Sequence, residues 1–463
     1  MSRGAHLQKG LALLAGILLI LSARAQPSAP PVSVEPKSQD HPLVIDLPAA
    51  LRLANAQNLD IQIARQKLNE AKANRDSATW QFFPWIAPGA SFRRHEDRIQ
   101  AVDGTMLDVN KQSYTLGGAI TAQVDLGEAI YKRLAAKQLL EASGHGLEGQ
   151  RQEATLRAAQ GFFDLAKAKG LVDVVKEALK ISQEYQKQIH EAVAAGIAFK
   201  GDELRVQTQT ERSQLALRQA QEQQRVAAAR LAQVLHLDPS VELAPRDTEL
   251  EALMLIEPET ALDRLVQQAL RSRPELKESL AVISAAHDTR NGAVYGPLIP
   301  TVGAQIFGGG LGGGKGSSTG NFGPSEDYYV GLGWRIGPGG LFDFGRVNAS
   351  KARLETLKLS GEKLKDQIVG QVVENHTRVQ SLFDQIQTTK RNLAAADETL
   401  RLTRERKEFG IGVVLEDIQA QQELTRARSD YLTAIAEFNK AEYGLKQAVG
   451  GLAGAPTEGR GKE

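Results

Sequence analysis

Residues 114–127 read YTLGGAITAQVDLG, and residues 328–345 read YYVGLGWRIGPGGLFDFG. In both stretches apolar side chains alternate with small or polar ones, and each stretch ends in an Asp-x-Gly turn. A period of two residues is typical of a β-strand with one apolar face. A long run with helical periodicity and without proline follows each turn, so the chain contains the same strand-to-helix junction twice.

The order of signals around these junctions is also duplicated. A proline corner, the Asp-x-Gly turn and a Gly-Ile pair recur at an offset of about 215 residues, which is too long for a solenoid repeat. The paired landmarks are Pro84 and Pro300, Asp125-Leu126-Gly127 and Asp343-Phe344-Gly345, and Gly196-Ile197 and Gly410-Ile411. We predict a first structural repeat over 44–241, an inter-repeat segment over 242–261 and a second structural repeat over 262–452.

The N-terminus has the pattern of a secretory signal peptide. Basic residues precede the apolar run from Leu11 to Leu21, and Ala23-Arg24-Ala25 provides a cleavage site. We predict a signal peptide over 1–25, a flexible proline-containing leader over 26–43 and a disordered tail over 453–463. An uncleaved anchor is the alternative, although the apolar run is short for a bilayer-spanning helix.

The composition argues against several classes of function. The 463 residues include 56 basic and 55 acidic side chains, and no basic stripe with interleaved aromatics points to a nucleic acid partner. Without cysteine the chain forms no disulfide and has no lipid-accepting thiol. The eight histidines lack ligand spacing, so neither a metal nor another cofactor is predicted.

Four strands are predicted, two in each repeat. They cover residues 86–94, 114–126, 301–307 and 328–337. The two clearest ones have the length, about 9–11 residues, of strands that cross a bilayer. A soluble β-sandwich with one wet face has the same period and is the alternative. Aromatic residues near the strand ends, among them Trp80, Trp85 and Trp334, favour the membrane because such residues gather at the lipid–water interface.

The alternation assigns side chains to two faces. We predict that lipid contacts Leu116, Ile120, Val124, Val330, Leu332 and Trp334. We predict that Thr121, Gln123 and Arg335 face a lumen. Four strands do not close a barrel, for which about eight is the minimum, and an open edge in lipid leaves backbone groups unpaired. Three copies would supply about twelve strands, so a trimer is predicted.

The long helices carry a heptad pattern. In the run 348–408, apolar residues recur every seven positions at Val372, Val379, Ile386, Leu393 and Leu400, with Ile368, Leu382 and Ala396 at the companion position. Such a pattern predicts helices that pack side by side and supercoil. A solid coiled-coil rod is one interpretation. Small and polar residues around the seam, such as Gln207, Gln219 and Ala220, suit a hollow cylinder of helices instead.

The glycine-rich stretch 308–320 matches two catalytic patterns by composition, a dinucleotide fingerprint and a nucleophile elbow. Both patterns require a strand-to-helix turn. We predict that this stretch is an exposed loop between two strands, so it indicates no enzyme. No catalytic residue is predicted.

Taken together, these signals resemble the TolC family of outer-membrane efflux proteins. The residues that carry the resemblance are N-x-D-I at Asn58 to Ile61 with R-P-E-L at Arg273 to Leu276, the corners at Pro84 and Pro300, L-F-D-F-G-R at Leu341 to Arg346, and the two Gly-Ile tips. No single motif is specific, whereas their order and spacing, repeated twice, are. The resemblance covers about 42–452.

The resemblance implies a mainly α-helical chain with a membrane β-barrel. Three copies would form a twelve-stranded barrel in the bacterial outer membrane, continuing into a twelve-helix periplasmic tunnel with an equatorial belt built partly from the inter-repeat segment. The implied partners are outer-membrane lipid, a periplasmic adaptor protein and an inner-membrane transporter, and the implied function is a passive exit duct. A periplasmic coiled-coil adaptor or structural protein and a secreted enzyme are the alternatives.

The resemblance also places the two Gly-Ile tips at the periplasmic aperture. The candidate aperture residues are Gly196, Asp202, Gly410, Glu416 and Asp417. Rings of carboxylates in a symmetric pore favour cations. The alternative is that these acids cap the return helices, where the helix dipole favours negative charge. Gly412 and Gln419 stand where the family often has a basic residue and a second carboxylate, so closure by packing of Ile411, Val413 and Val414 stays open.

Overall fold

The computed structural model describes residues 43–238, 241–246, 250–316, 320–408 and 413–452. The predicted signal peptide, the predicted leader up to Pro42, the predicted tail, and Gly410, Ile411 and Gly412 lie outside this part of the chain. Within it, no helix combines the length and the apolar character needed to cross a bilayer.

Helices make up most of the described chain. They are α1 (Leu47–Gln57), α2 (Leu59–Trp80), α3 (Leu126–Ala194), α4 (Lys200–Val234), α5 (Leu262–Ser272), α6 (Pro274–Tyr295), α7 (Phe344–Glu408) and α8 (Val414–Ala448), with a 3₁₀ turn over Gly296–Leu298. The strands are β1 (Leu43–Ile45), β2 (Trp85–His95), β3 (Arg98–Gln100), β4 (Met106–Asp108), β5 (Lys111–Asp125), β6 (Leu243–Pro245), β7 (Thr301–Lys315) and β8 (Gly323–Gly333). Two short helices, two long strands and two long helices therefore occur twice in the same order.

The corner between the two short helices has the same backbone in both repeats but different chemistry. Asn58 and Arg273 are extended, with φ and ψ of −61° and 124° and of −57° and 123°. The Asn58 side chain accepts hydrogen bonds from the amides of Asp60 (2.8 Å) and Ile61 (3.2 Å), as an N-cap does. In the second repeat, Arg273 makes no side-chain cap hydrogen bond, and Pro274 at the first helical position lacks one of the amides that a helix N-terminus leaves unpaired.

The long strands form one antiparallel sheet in the order β2-β5-β7-β8. Leu116 pairs with Ala90 on one side and Gly310 on the other, and Val302 pairs with Val124 and Leu332. Even-numbered residues therefore share one face of the sheet, and odd-numbered residues share the other.

The structure corrects two of the predicted strand boundaries. The stretch 308–315, predicted as a loop, is the second half of β7, because glycines allow this strand to lie against β5: a Cβ on Gly309 would meet the carbonyl oxygen of Leu116 at 2.5 Å. The strand predicted over 328–337 instead covers 323–333. The chain curls after it, since Gly337 and Gly339 have positive φ angles of 105° and 76°.

The two Asp-x-Gly turns cap the long helices. The Asp125 carboxylate accepts a hydrogen bond from the amide of Glu128 (3.0 Å), and Asp343 accepts from the amides of Arg346 (3.0 Å) and Gly339 (2.9 Å). The bonds from Glu128 and Arg346 satisfy amides that a helix N-terminus leaves unpaired, and the bond from Gly339 holds the turn that precedes α7. The same residue type therefore converts a strand into a helix at both junctions.

The heptad prediction is confirmed for the described helices. The seam of α7 buries Ile368, Val372, Leu382, Ile386, Ala396 and Leu400 against buried Leu424, Ala427, Ala434, Phe438 and Leu445 of α8. At about 1.5 Å per residue, the 65 residues of α7 extend on the order of 100 Å. The seam thus holds α8 along most of its length against the C-terminal part of the longer α7.

Two buried polar side chains of α8 form hydrogen bonds with the backbone of the inter-repeat segment. Asn439 accepts from the amide of Leu253 (2.8 Å) and donates to the carbonyl of Glu251 (2.8 Å). Glu442 accepts from the amides of Leu255 (3.0 Å) and Ile256 (3.2 Å). Both side chains are almost fully buried, so the segment is bound by specific hydrogen bonds as well as by apolar contacts.

We predict that Gly127→Ala destabilises the protein. A Cβ at this position would lie 2.0 Å from the carbonyl oxygen of Gly296, and relieving such an overlap costs about 1–3 kcal/mol. Gly144→Ala in the same helix is the matched control, since its Cβ would meet no atom within 4 Å and alanine favours a helix by about 0.5–1 kcal/mol. Thermal unfolding in detergent measures both variants, and equal melting temperatures would contradict the prediction.

Candidate functional site

One face of the four-stranded sheet is apolar and exposed. It carries the even-numbered residues Ile86, Phe92, Leu116, Ile120, Ile306, Val330 and Leu332, of which Val330 is 79% exposed. A contiguous exposed apolar surface of this kind marks a surface that something else covers. We call it the apolar face.

Five of the six side chains predicted to contact lipid lie on the apolar face. Leu116, Ile120, Val330 and Leu332 are exposed there, whereas Val124 is buried near the end that joins the helices. Trp334 follows the last residue of β8, and its indole donates to the carbonyl oxygen of Leu298 (3.2 Å). Contact with lipid remains a prediction for all six.

The opposite face carries mostly polar or small residues, and we call it the polar face. Its large apolar or aromatic members are Trp85, Phe307, Leu311 and Tyr329. Thr121 and Gln123 lie on it as odd-numbered residues of β5, and the hydroxyls of Ser91 and Thr115 are 2.7 Å apart across β2 and β5. Arg335 was predicted to share this face as a strand residue. That placement is wrong, because β8 ends at Gly333 and the carbonyl of Arg335 accepts from the amide of Leu341 (2.8 Å) in the turn that follows.

At the far end of the long helices, α3 and α4 are joined by a glycine turn. Gly196 has a φ of 73°, and the amide of Ile197 donates to the carbonyl of Ala192 (2.9 Å), which closes the last turn of α3. Ile197 and Phe199 are strongly exposed at this tip. In the α7–α8 turn, Val413 is exposed in the same way, while Gly410 and Ile411 lie outside the described residues.

The structure brings Asp202 and Asp417 to one tyrosine. Tyr185 of α3 is buried with Ile189, Val206 and Ile418, so the two hairpins meet here within one chain. Burial raises the pKa of the Tyr185 hydroxyl, and the negative charges of Asp417 and Asp202 raise it further. Asp417 is itself only 3% exposed, and its carboxylate accepts from the side chain of Gln421 (3.1 Å).

Tyr185 was not predicted as a site residue. The only signal for it in the sequence is that no other aromatic residue occurs between Phe163 and Phe199. Its position beside carboxylates from two different return helices depends on tertiary packing, which one sequence does not provide.

Two of the tip carboxylates, Asp202 and Glu416, form ion pairs, and neither return helix has a side-chain N-cap hydrogen bond. Asp202 accepts from Arg205 (3.1 Å), one turn further along α4. Glu416 pairs with Arg406 (3.3 Å) across the α7–α8 turn, so an arginine of α7 supplies a positive charge although Gly412 does not. These acids therefore do not cap the return helices through hydrogen bonds. Their negative charges still interact favourably with the helix dipoles.

A family model described as outer membrane efflux protein matches residues 50–235 and 265–451. No curated protein matches the chain significantly. Among solved structures, the outer-membrane channel OprN is similar, with a TM-score of 0.73 and 20% identity over 88% of this chain and 90% of OprN. The CmeC outer membrane channel of Campylobacter jejuni has a TM-score of 0.75 and 16% identity, over 88% of this chain and 85% of CmeC.

The open state of the MtrE outer membrane channel of Neisseria gonorrhoeae is similar as well. Its TM-score is 0.72 at 17% identity, over 88% of this chain and 89% of MtrE. At these identities the structures share a fold with the chain, and the predicted fold class, a duplicated and mainly helical protomer with four long strands, is confirmed.

We predict that arginine is tolerated on the polar face and not on the apolar face. Ile120→Arg places a charge where lipid is expected and should cost about 2–4 kcal/mol near the bilayer midplane. Thr121→Arg, on the next residue and the opposite face, is the matched control and should fold. The yield of heat-resistant assembled protein in outer-membrane fractions measures both, and equal tolerance would contradict a membrane-facing apolar face.

Proposed function

The chain belongs to the outer membrane efflux protein family, and we propose that three copies of it form the passive exit duct of a tripartite efflux or type I secretion system. The proposal rests on the two edges of the four-stranded sheet. Its edge strands β2 and β8 have equal lengths of 11 residues, and neither is paired on its outer side with any described strand. An edge inside lipid must be closed, and the outer edge of β8 can pair with β2 of the next copy.

In the proposed assembly, the two faces of the sheet have different surroundings. With the edges joined, the apolar face points outward to lipid and the polar face encloses an aqueous lumen, which is the arrangement of membrane barrels. Three four-stranded sheets would give about twelve strands, within the range of known barrels. The long helices continue from the strands through the two Asp-x-Gly junctions, so the lumen would extend into the periplasm as a tunnel.

The duct has no chemistry of its own in this proposal. A periplasmic adaptor protein and an inner-membrane transporter would deliver cargo at the α3–α4 and α7–α8 tips and open them. A role as the adaptor itself is disfavoured, because the family match spans both repeats and each repeat pairs one helical hairpin with two long strands. Export to the outer membrane would use residues 1–25 as a cleaved signal peptide.

At the tips, we propose that Asp202, Glu416 and Asp417 line or support the closed aperture. Threefold symmetry would bring several of these carboxylates into one opening, where they would attract cations. The pairs with Arg205 and Arg406 would reduce but not cancel that charge, since both arginines are largely exposed. Exposed Ile197, Phe199 and Val413 would pack around the opening or against the adaptor.

We predict that cysteines on β2 and β8 form disulfides between copies. The chain has no cysteine, so Ser325→Cys on β8 can be combined with cysteine at Ala87, Gly89 or Ser91 on β2, all on the polar face. At one register, oxidised protein should run as dimers and trimers on a non-reducing gel. Ser325→Cys with Thr115→Cys is the control, because β7 separates these strands. Monomers from all three pairs would contradict the proposed edge pairing.

We predict that neutralising Asp202 and Glu416 together lowers the cation selectivity of single channels and weakens block by trivalent cations from the tip side. The physical reason is the loss of six carboxylates from a trimeric aperture. Conductance and reversal potential in a planar bilayer measure the effect of Asp202→Asn with Glu416→Gln. The exposed pair Glu355→Gln with Glu362→Gln on α7 is a control of equal charge. Unchanged selectivity in the aperture variant would reject the aperture role.

A further inference from the structure

The end of the sheet that lies away from the helices carries an uncompensated group of basic residues. Helices or their connections join the sheet at Trp85, Asp125, Thr301 and Gly333. The opposite ends of the strands are therefore distal to the helices, and they are connected only by residues 96–110 and 316–322. In the proposed duct, this distal end is the outer mouth.

Three basic residues lie side by side at the distal end. His95 of β2 pairs in register with Lys111 of β5, and Lys111 pairs with Lys315 of β7. Directly opposed residues on neighbouring strands have Cβ atoms about 4.5–5.5 Å apart. Arg93 lies two residues from His95 on the same face. We call Arg93, His95, Lys111 and Lys315 the basic row.

No described acidic side chain neutralises the basic row. At this end the ion pairs join Arg94 to Glu96 and Arg98 to Asp108 (3.5 Å), and they leave Arg93, Lys111 and Lys315 unpaired within the described residues. The Nε2 atom of His95 is shielded from solvent and has no hydrogen-bond partner in the same part of the chain. Like charges placed directly opposite each other destabilise a sheet, so the row has a cost that a bound anion would remove.

The basic row lies on the polar face. All four members are odd-numbered, like Thr115 and Thr121, whereas Arg94 lies on the apolar face and is neutralised by Glu96. At this end of the sheet, the positive charge on the apolar face is therefore paired, and the positive charges on the polar face are unpaired within the described residues. That difference between the faces indicates a ligand on the lumen side.

We propose that the basic row of three copies forms an anion-binding belt around the inside of the outer mouth, with multivalent phosphate-type anions as its ligands. This inference rests on the proposed function, because the belt encloses a lumen only in the closed duct. The belt is positively charged and the tip carboxylates are negatively charged, so the two ends of the duct would attract ions of opposite charge. The belt would draw anionic cargo toward the exit.

The test uses inorganic tripolyphosphate on single channels at about 0.1 M salt, where the Debye length is about 10 Å. Tripolyphosphate added on the outer side should block wild-type channels. In Lys111→Gln with Lys315→Gln, the half-blocking concentration should rise about ten-fold, because six of the charges that focus the anion are removed. Arg94→Gln with Arg98→Gln is the matched control, since it removes as many charges from the same end and should leave the block unchanged.

The outcomes separate the belt from the duct. Wild-type protein that inserts but never conducts would overturn the duct and the belt with it. Normal conductance with equal block of wild type and the lysine variant, or block only from the tip side, would overturn the belt alone. If the lysine variant instead loses a retained phosphate-bearing lipid in native mass spectra while block is unchanged, the row binds lipid and the belt is rejected. Tripolyphosphate should also raise the melting temperature of wild type and not of the lysine variant, which tests the site without channel recording.

Discussion

The sheet of this protein has two open edges, and the proposed function follows from the need to close them. Backbone amides and carbonyls on β2 and β8 find water in solution but find no partner in hydrocarbon, where each unsatisfied group costs several kcal/mol. The described part of the chain has four long strands, too few to close on themselves. In the proposed duct, the equal lengths of the two edges and the single apolar face would let copies of the chain close the sheet together.

The long helices depend on the same sheet through two small motifs. Asp125 and Asp343 accept hydrogen bonds from the first amides of α3 and α7, so each strand passes directly into a helix. Gly127 then allows α3 to approach the backbone of Gly296. In the proposed duct, the barrel and the tunnel would therefore share one set of covalent connections.

Much of the fold could be predicted from the sequence because periodicity reports directly on burial. The alternation in 114–126 predicted the face of residues 114–125 of β5, and the heptads predicted the seam of α7. Glycine-rich β7 was missed beyond Phe307, since glycine has no side chain to show a period. Ile336 was assigned to a strand because the alternation continues past Gly333, although the backbone turns there.

The sites were harder to predict for a physical reason. Tyr185 approaches Asp202 when α3 and α4 form one hairpin, and it approaches Asp417 only after the second hairpin packs against the first. Lys111 meets Lys315 only through the register of β5 against β7. These pairs are separated by up to about 230 residues in the sequence, beyond the reach of local patterns.

In the proposed duct, closure of the sheet requires three copies. Native mass spectrometry of the mature protein, released from mild detergent micelles, tests it most directly. We predict a complex of three chains that persists on dilution, with no stable population of single chains. A folded, stable monomer in detergent would contradict it, because such a monomer would leave both β2 and β8 open.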